Sequence, residues 1–396
     1  MNSKPEAWDN TDDFSLGLGG PLYQIYLSTR LVKHPLLLLK RRIFVICSLA
    51  WLPLLLLSVL GGTAFGGVKL PFIFDMDVHV RFLVSLALLI YAESIAHEQI
   101  KIIVKQFLSC NIIPLNHRPQ FNFAIASAMR IRNSVAVEVI LIVLVFTLGH
   151  WISVKYFPLG VSNWYADKIN NTVQYTPAGY WYVFVSLPLF QFILLRWYFR
   201  IGIWYGFLWK VSRFPLQLNS LHPDKAGGLG FLANSVYAFA PLLLAHSVLL
   251  GGMILNRIWN AGASLADFQV EMISIILFLI ILPLVPMLFF VLPMAKAKRV
   301  GTLKYDVVAN RYVSEFRQKW IEAKTKNNET LLGSQDIQAL ADLANSFGVS
   351  IQMRVLPFDK HSIIALMFLA ALPLFPLILT IIPVEKIMQQ VFSIIF

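Results

Sequence analysis

Cysteine is nearly absent: the 396 residues contain two, Cys47 in an apolar run and Cys110 in a basic loop. Neither has a second cysteine at metal or redox spacing, so no disulfide or thiol site is expected. Charge is also scarce, at 14% of residues against 57% hydrophobic, which excludes an ordinary soluble domain. Negative charge is the scarcer sign, with 21 Asp and Glu against 33 Lys and Arg. A net charge of +12 would suit a nucleic-acid binder. Position argues otherwise: the basic residues cluster beside the ends of apolar runs, so no nucleic-acid partner is expected. The polar start, Met-Asn-Ser-Lys-Pro-Glu, continues to Asp13 and predicts no cleavable signal peptide.

The chain is rich in long apolar runs: Ile43–Leu60, Phe82–Ala96, Ser134–Ile152, Tyr182–Phe207, Leu229–Leu255, Met272–Pro293 and Ile363–Ile382. Roughly 20 helical residues cross about 30 Å of lipid tails. Inside lipid the backbone polar groups must be satisfied within the segment, so runs this continuous read as helices. The expected fold is an all-α polytopic bundle of about seven spans. Aromatics are abundant, with 30 Phe, 10 Trp and 13 Tyr, as suits rings that anchor helices among lipid headgroups.

Orientation follows from lysine and arginine. Residues 1–42 hold six, 97–133 five, 208–228 three and 294–362 eleven. The alternate loops hold only Lys69, Lys155, Lys168 and Lys386, with Arg81 and Arg257 at helix edges. Because every second loop is basic, the positive-inside rule predicts a cytoplasmic N-terminus and an external C-terminus. The chain then divides into a tail and interfacial segment (1–42), six spans (43–293), a cytoplasmic helical insertion (294–362), and a seventh span with an external tail (363–396).

The insertion carries two amphipathic patterns. Tyr305, Val308, Tyr312, Phe316 and Trp320 mark one helix; Ile337, Leu340, Ala341, Leu343 and Ala344 mark a second, with a charged linker at Lys324–Glu329 between them. A helix pair of this size builds no large core, so it is expected to pack on the bundle, a sister copy or a cytoplasmic partner. Prolines fall within most spans: Pro53, Pro188, Pro241, Pro283, Pro286, Pro293, Pro373 and Pro376. Broken helices serve transporters, but proline is also common in ordinary membrane helices.

Charge inside the spans is the sharper signal. Glu93 lies about 12 residues past Arg81, roughly 18 Å deep, and shares a helix face with His97 four residues on. The run 82–96 is too short to cross alone, so His97 and Glu98 are expected to be drawn toward lipid. Arg196 and Arg200 are also four apart, and Glu138 opens the third span. Glu93, His97, Glu138, Arg196 and Arg200 thus converge on one layer in the inner half of the membrane, where ionised groups mark a functional path or a structural clamp. In the clamp reading Arg196 pairs with Glu93, while Arg200 snorkels to the interface among Trp197, Trp204, Tyr205 and Trp209.

A second candidate is the cytoplasmic segment Ser220–Gly230, containing His222, Asp224, Lys225, Gly227 and Gly228. A helix start with free amides and a lysine attracts anions. His222 and Asp224 suit acid/base chemistry, but one histidine and one carboxylate make a weak metal signal, and a glycine-lined tight turn explains the same residues. Ser212-Arg213 followed by His222 has a faint likeness to lipid phosphatases, but the Pro-Ser-Gly-His segment of that family is missing. No metal and no cofactor are expected. His150 and His246 stand alone on apolar spans and read as packing residues.

Several segments carry a resemblance: Gly-Gly-Pro-Leu-Tyr at 19–23, Ala-Ser-Ala-Met-Arg-Ile-Arg-Asn-Ser at 126–134, Leu-Leu-Arg-Trp-Tyr-Phe-Arg at 194–200, His-Pro-Asp-Lys-Ala-Gly-Gly-Leu-Gly-Phe-Leu at 222–232, and Asp-Ile-Gln-Ala-Leu-Ala-Asp-Leu-Ala-Asn-Ser-Phe at 336–347. Together the chain resembles, nearly end to end, uncharacterised multi-pass inner-membrane proteins of Gram-negative bacteria. The resemblance implies a bacterial inner-membrane setting and brings no activity with it. Three readings stay open: a channel or transporter for an anion or proton-coupled solute, a scaffold acting through residues 294–362 or as a homo-oligomer, and an enzyme acting on lipid headgroups through His222 and Asp224.

Overall fold

The computed structural model describes residues 14–33, 36–149, 151, 163–169, 172–322 and 333–380. The tail before Phe14, His150, residues 152–162 and 170–171 of the exterior loop, the 324–329 linker and the segment after Thr380 lie outside them. The chain is an integral membrane protein of all-α, polytopic architecture. Among the described residues six helices are long and apolar enough to span a bilayer, or seven if a bent pair is taken as one crossing.

A short helix, α1 (Pro21–Ser28), precedes the first span, α2 (Leu39–Leu60). The second span, α3 (Met76–Ser109), runs 34 residues, about 50 Å, with a π-turn at Val80–Ser85. The bent pair follows: α4 (Arg118–Arg132) and α5 (Val135–Gly149), turned by 44° at Asn133–Ser134. A two-stranded antiparallel hairpin, β1 (Ala166–Ile169) and β2 (Thr172–Tyr175), leads into α6 (Pro177–Ser212), which has its own π-turn at Tyr182–Ser186. Next come α7 (Ala240–Ala261), α8 (Gln269–Leu284), α9 (Val291–Trp320), α10 (Gln335–Gln352) and α11 (Lys360–Ala371).

The main core gathers buried residues of α2, α3 and α6 with the N-terminal segment, including Phe14, Ala50, Phe82, Phe107, Trp197 and Trp204. A smaller cluster joins α7, α8 and α11 through Leu243, Leu279 and Leu366. Outward faces stay apolar and exposed, as in Phe44, Leu56, Ile140 and Ile273, because lipid rather than water is their solvent.

Several boundaries differ from the sequence reading. The shortfall of the 82–96 run is made up outward, not inward: α3 starts at Met76, and Arg81 is neutralised by Asp77 at 2.6 Å. His97 and Glu98 therefore need not be drawn into lipid. The fifth span does not begin at Leu229. Residues Gly230–Asn234 form a 3-10 turn, and the long helix starts at Ala240. Pro241 falls in its first turn, where a missing amide costs nothing, and so does not interrupt it. The sixth span passes through a 3-10 segment, Val285–Phe290, directly into α9, with no break at residue 293. There α9 and α10 form a hairpin, tied by Tyr312 Oη donating to Asp336 O at 3.0 Å and Trp320 Nε1 donating to the Asp336 carboxylate at 2.9 Å.

The loop-charge orientation has a direct test in a Cys47→Ala, Cys110→Ala background. A cysteine at Ser264 is expected to react with an impermeant thiol reagent in intact cells, and one at Gln120 only after the membrane is opened. Labelling of Gln120 in intact cells would reverse the orientation. Ser162 and Asn327, natural companions for the test, lie outside the described residues.

Candidate functional site

Four of the five intramembrane candidates meet in one buried layer, and a fifth charge joins them from outside the list. Glu93 on α3 faces three guanidiniums: Arg200 at 2.7 Å, Arg42 at 3.3 Å and Arg196 at 3.6 Å. Glu138, in the first turn of α5, takes the other side of Arg196 at 3.2 Å. All five residues are at most 6% exposed. Arg200 does not snorkel. It is 2% exposed, with its guanidinium 5.0 Å over the Trp197 ring and turned inward to Glu93. Its approach to Glu93 lies off the hydrogen-bond direction, so the contact is mainly coulombic.

Arg42 was missed because it closes the basic triplet Lys40-Arg41-Arg42, which reads as an interfacial anchor. A signal was nevertheless present. Arg42 continues the four-residue stripe Ile46, Ala50, Leu54 and Ser58, which is the buried face of α2. Arg42 is fully buried, stacks 5.5 Å over the Tyr26 ring, and donates to Ile90 O at 3.4 Å. Its Nε and Nη1 have no hydrogen-bond partner among the described residues.

The cluster is closed by the N-terminal arm, residues 14–20, which sequence periodicity gave no means of finding. Phe14, Ser15 and Leu16 are all buried, and Phe14 packs against Phe207 and Trp204 with centroids 4.8 and 6.1 Å away. The arm offers carbonyl oxygens to cations. Ser15 O accepts from Arg132 Nη1 at 2.5 Å, and Gly19 O accepts from Arg196 Nη2 at 3.1 Å. Gly20 (φ 84°) then turns the chain into α1, whose Leu22 amide donates to Glu138 Oε2 at 2.9 Å. A side chain at Gly20 would suffer both the positive φ and a 2.9 Å approach to Glu138 Oε1. His97 is set apart from this exchange of charge: its Nδ1 lies 2.8 Å from Ser15 Oγ, holding the arm.

The cytoplasmic candidates form a separate, self-contained turn. Asp224 Oδ1 accepts from the amides of Ala226 and Gly228 at 2.7 and 3.2 Å, and Oδ2 from Gly230 at 2.8 Å. Burial acts to raise the Asp224 carboxyl, but the three amides and His222, 2.8 Å away, outweigh it and hold the group below the usual carboxylate range. Gly227 and Gly228 take φ of 68° and 94°, and Lys225 also has positive φ. The Lys225 ammonium donates to Gln352 Oε1 at 2.7 Å and its carbonyl accepts from the Arg354 amide at 2.7 Å, fastening the turn to the end of α10. This is capping geometry; the carboxylate oxygens are occupied. Among the described residues no group of three or more His, Cys, Asp or Glu is placed to hold a metal.

Outside the layer, the opposite end of the bundle holds a third set of charges. Asp75 caps α3, is 3% exposed, and accepts from the Trp164 indole at 2.9 Å. Tight aromatic packing surrounds it, with Phe72 edge-on to Trp164 at 5.0 Å.

No known protein family, curated protein or solved structure matches the chain.

Proposed function

We propose that the buried layer is the anion-selective station of a channel or transporter, held shut by the N-terminal arm in the state described. The observation that carries this reading is the charge balance around Arg42. Three guanidiniums meet two carboxylates, and Arg42, at 0% exposure, keeps two donor atoms unpartnered. A purely structural clamp is cheapest when neutral, because each uncompensated charge taken from water costs several kcal/mol. Excess positive charge in the membrane's inner half is instead what an anion needs in order to leave water. The arm supports the same reading, since it offers carbonyl oxygens to Arg196 and Arg132 as an anion would offer its own. Arm and anion are then competitors for the same donors. The setting we infer is a bacterial inner membrane, on the resemblance and the basic cytoplasmic loops.

The test is anion flux into vesicles reconstituted with the full chain, read with a halide-sensitive dye. Gly20→Val, which strains the turn and crowds Glu138, should release the arm and raise flux several-fold. Adding Arg196→Ala should abolish that flux while the protein remains monodisperse, and Arg196→Lys should keep part of it, because charge persists without the planar fork. If Gly20→Val passes no chloride, nitrate or small carboxylate, and Arg196→Ala changes only thermal stability, the transport reading fails.

A second reading, a scaffold working through the α9–α10 hairpin, is favoured by one specific feature. Val300, Leu303 and Val307 follow helical spacing along α9 and are 42%, 57% and 68% exposed. Such a stripe suits a partner protein or a second copy. The enzyme reading has least support, since the oxygens of Asp224 are already engaged by backbone amides.

A further inference from the structure

A cavity of about 550 Å³ lies where the end of α10, the start of α11 and the side of α9 meet. Its size falls in the range of small-molecule sites. Three cations from different elements line it: Lys298 on α9, Arg354 beyond α10, and Lys360 opening α11; Asp359 is the single carboxylate among them. Arg354 is anchored, since its Nη2 donates to Asp224 O at 3.1 Å and its amide to Lys225 O at 2.7 Å. Its Nη1 stands 3.8 Å from Asp359, too far for a hydrogen bond. Asp359 is itself spent on capping α11, accepting from the Ser362 amide at 3.0 Å and hydroxyl at 2.9 Å. Lys298 and Lys360 carry no hydrogen bond or ion pair among the described residues. The remaining wall is apolar, including Leu356, Phe358 and Ile363, and Ile363 begins the last apolar run.

The geometry points to a binding site for the phosphate group of an anionic lipid, seated at the water–lipid boundary beside the last span. Two free ammoniums and an anchored guanidinium supply converging donors for phosphate oxygens. The apolar wall continues into the spanning helix α11, giving the acyl chains a surface that a free phosphate would not use. Basic pockets between membrane helices on the positively charged face bind anionic headgroups in this way. The site is distinct from the buried arginine layer and does not depend on it.

The test titrates the purified full chain in detergent with a fluorescent short-chain phosphatidic acid, comparing phosphatidylcholine and inorganic phosphate as competitors. Phosphatidic acid should bind, phosphatidylcholine should compete weakly, and inorganic phosphate only at much higher concentration. Lys298→Ala with Lys360→Ala should weaken binding about tenfold to thirtyfold at low salt. Lys304→Ala, outside the cavity, should leave it unchanged, and all variants should melt alike. Equal competition by inorganic phosphate would overturn the lipid as ligand. Unchanged affinity in the double variant would overturn the site.

Discussion

Glu93→Gln is expected to destabilise the folded protein by about 3–5 kcal/mol, the range for removing one partner of a buried ionic network. The substitution keeps shape but leaves Arg42, Arg196 and Arg200 facing an uncharged amide, with Glu138 on Arg196 the one other carboxylate paired with them among the described residues. The three arginines are not equivalent. Arg196 retains Glu138 at 3.2 Å, whereas Arg200 lies closest to Glu93, at 2.7 Å. Adding Arg200→Gln to Glu93→Gln should therefore recover more stability than adding Arg196→Gln. Arg42→Gln alone should cost less than Glu93→Gln, because it removes an excess charge. Chemical unfolding in detergent, analysed as double-mutant cycles, provides the measurement; strict additivity for all three pairs would dismiss the network.

The second large effect is a pH dependence set at the opposite end of the bundle. Burial and the neighbouring Asp77 carboxylate push Asp75 up to about 7, against the donors of Trp164 and Val78. The folded protein then holds a proton that the unfolded chain releases near its ordinary value of 3.8. A raised folded-state value contributes stability below the unfolded value and loses it as pH rises to the folded one. Stability should thus fall between about pH 4 and pH 7, by a few kcal/mol for a shift of this size. Asp75→Asn, neutral throughout, should flatten the profile of melting temperature across that window. An unchanged slope would remove Asp75 as its origin.

The spans were legible because lipid imposes a simple requirement, a long and largely apolar helix, and the runs at 43–60 and 182–207 each fall within one such helix, Leu39–Leu60 and Pro177–Ser212. Convergence of Glu93, Glu138, Arg196 and Arg200 was legible too, since four-residue spacing and depth from the helix end place a side chain on a known face at a known height. Arg42 and the arm were not. An arginine at a membrane edge ordinarily anchors to headgroups, and what turns this one inward is its contact with other elements, Tyr26 on α1 and Glu93 and Ile90 on α3. The arm has no helical period to read. The fifth span was misjudged because Leu229, Phe231 and Leu232 are apolar for a different reason: Leu229 and Leu232 are buried in the main core and Phe231 packs edge-on to Phe107 at 5.0 Å.

The π-turns of α3 and α6 set the phase of the charged layer from a distance. Each adds a residue to its turn relative to α-helix, and one residue of α-helix corresponds to about 100° of rotation. Glu93 lies beyond the π-turn of α3, and Arg196 and Arg200 lie beyond that of α6. Straightening either turn into α-helix would swing its charges about 100° around the axis while their depth hardly changed. Insertions or deletions near residues 80–85 and 182–186 therefore govern whether these side chains meet each other or face lipid. A charge pattern written in one stretch of sequence has its aim decided in another.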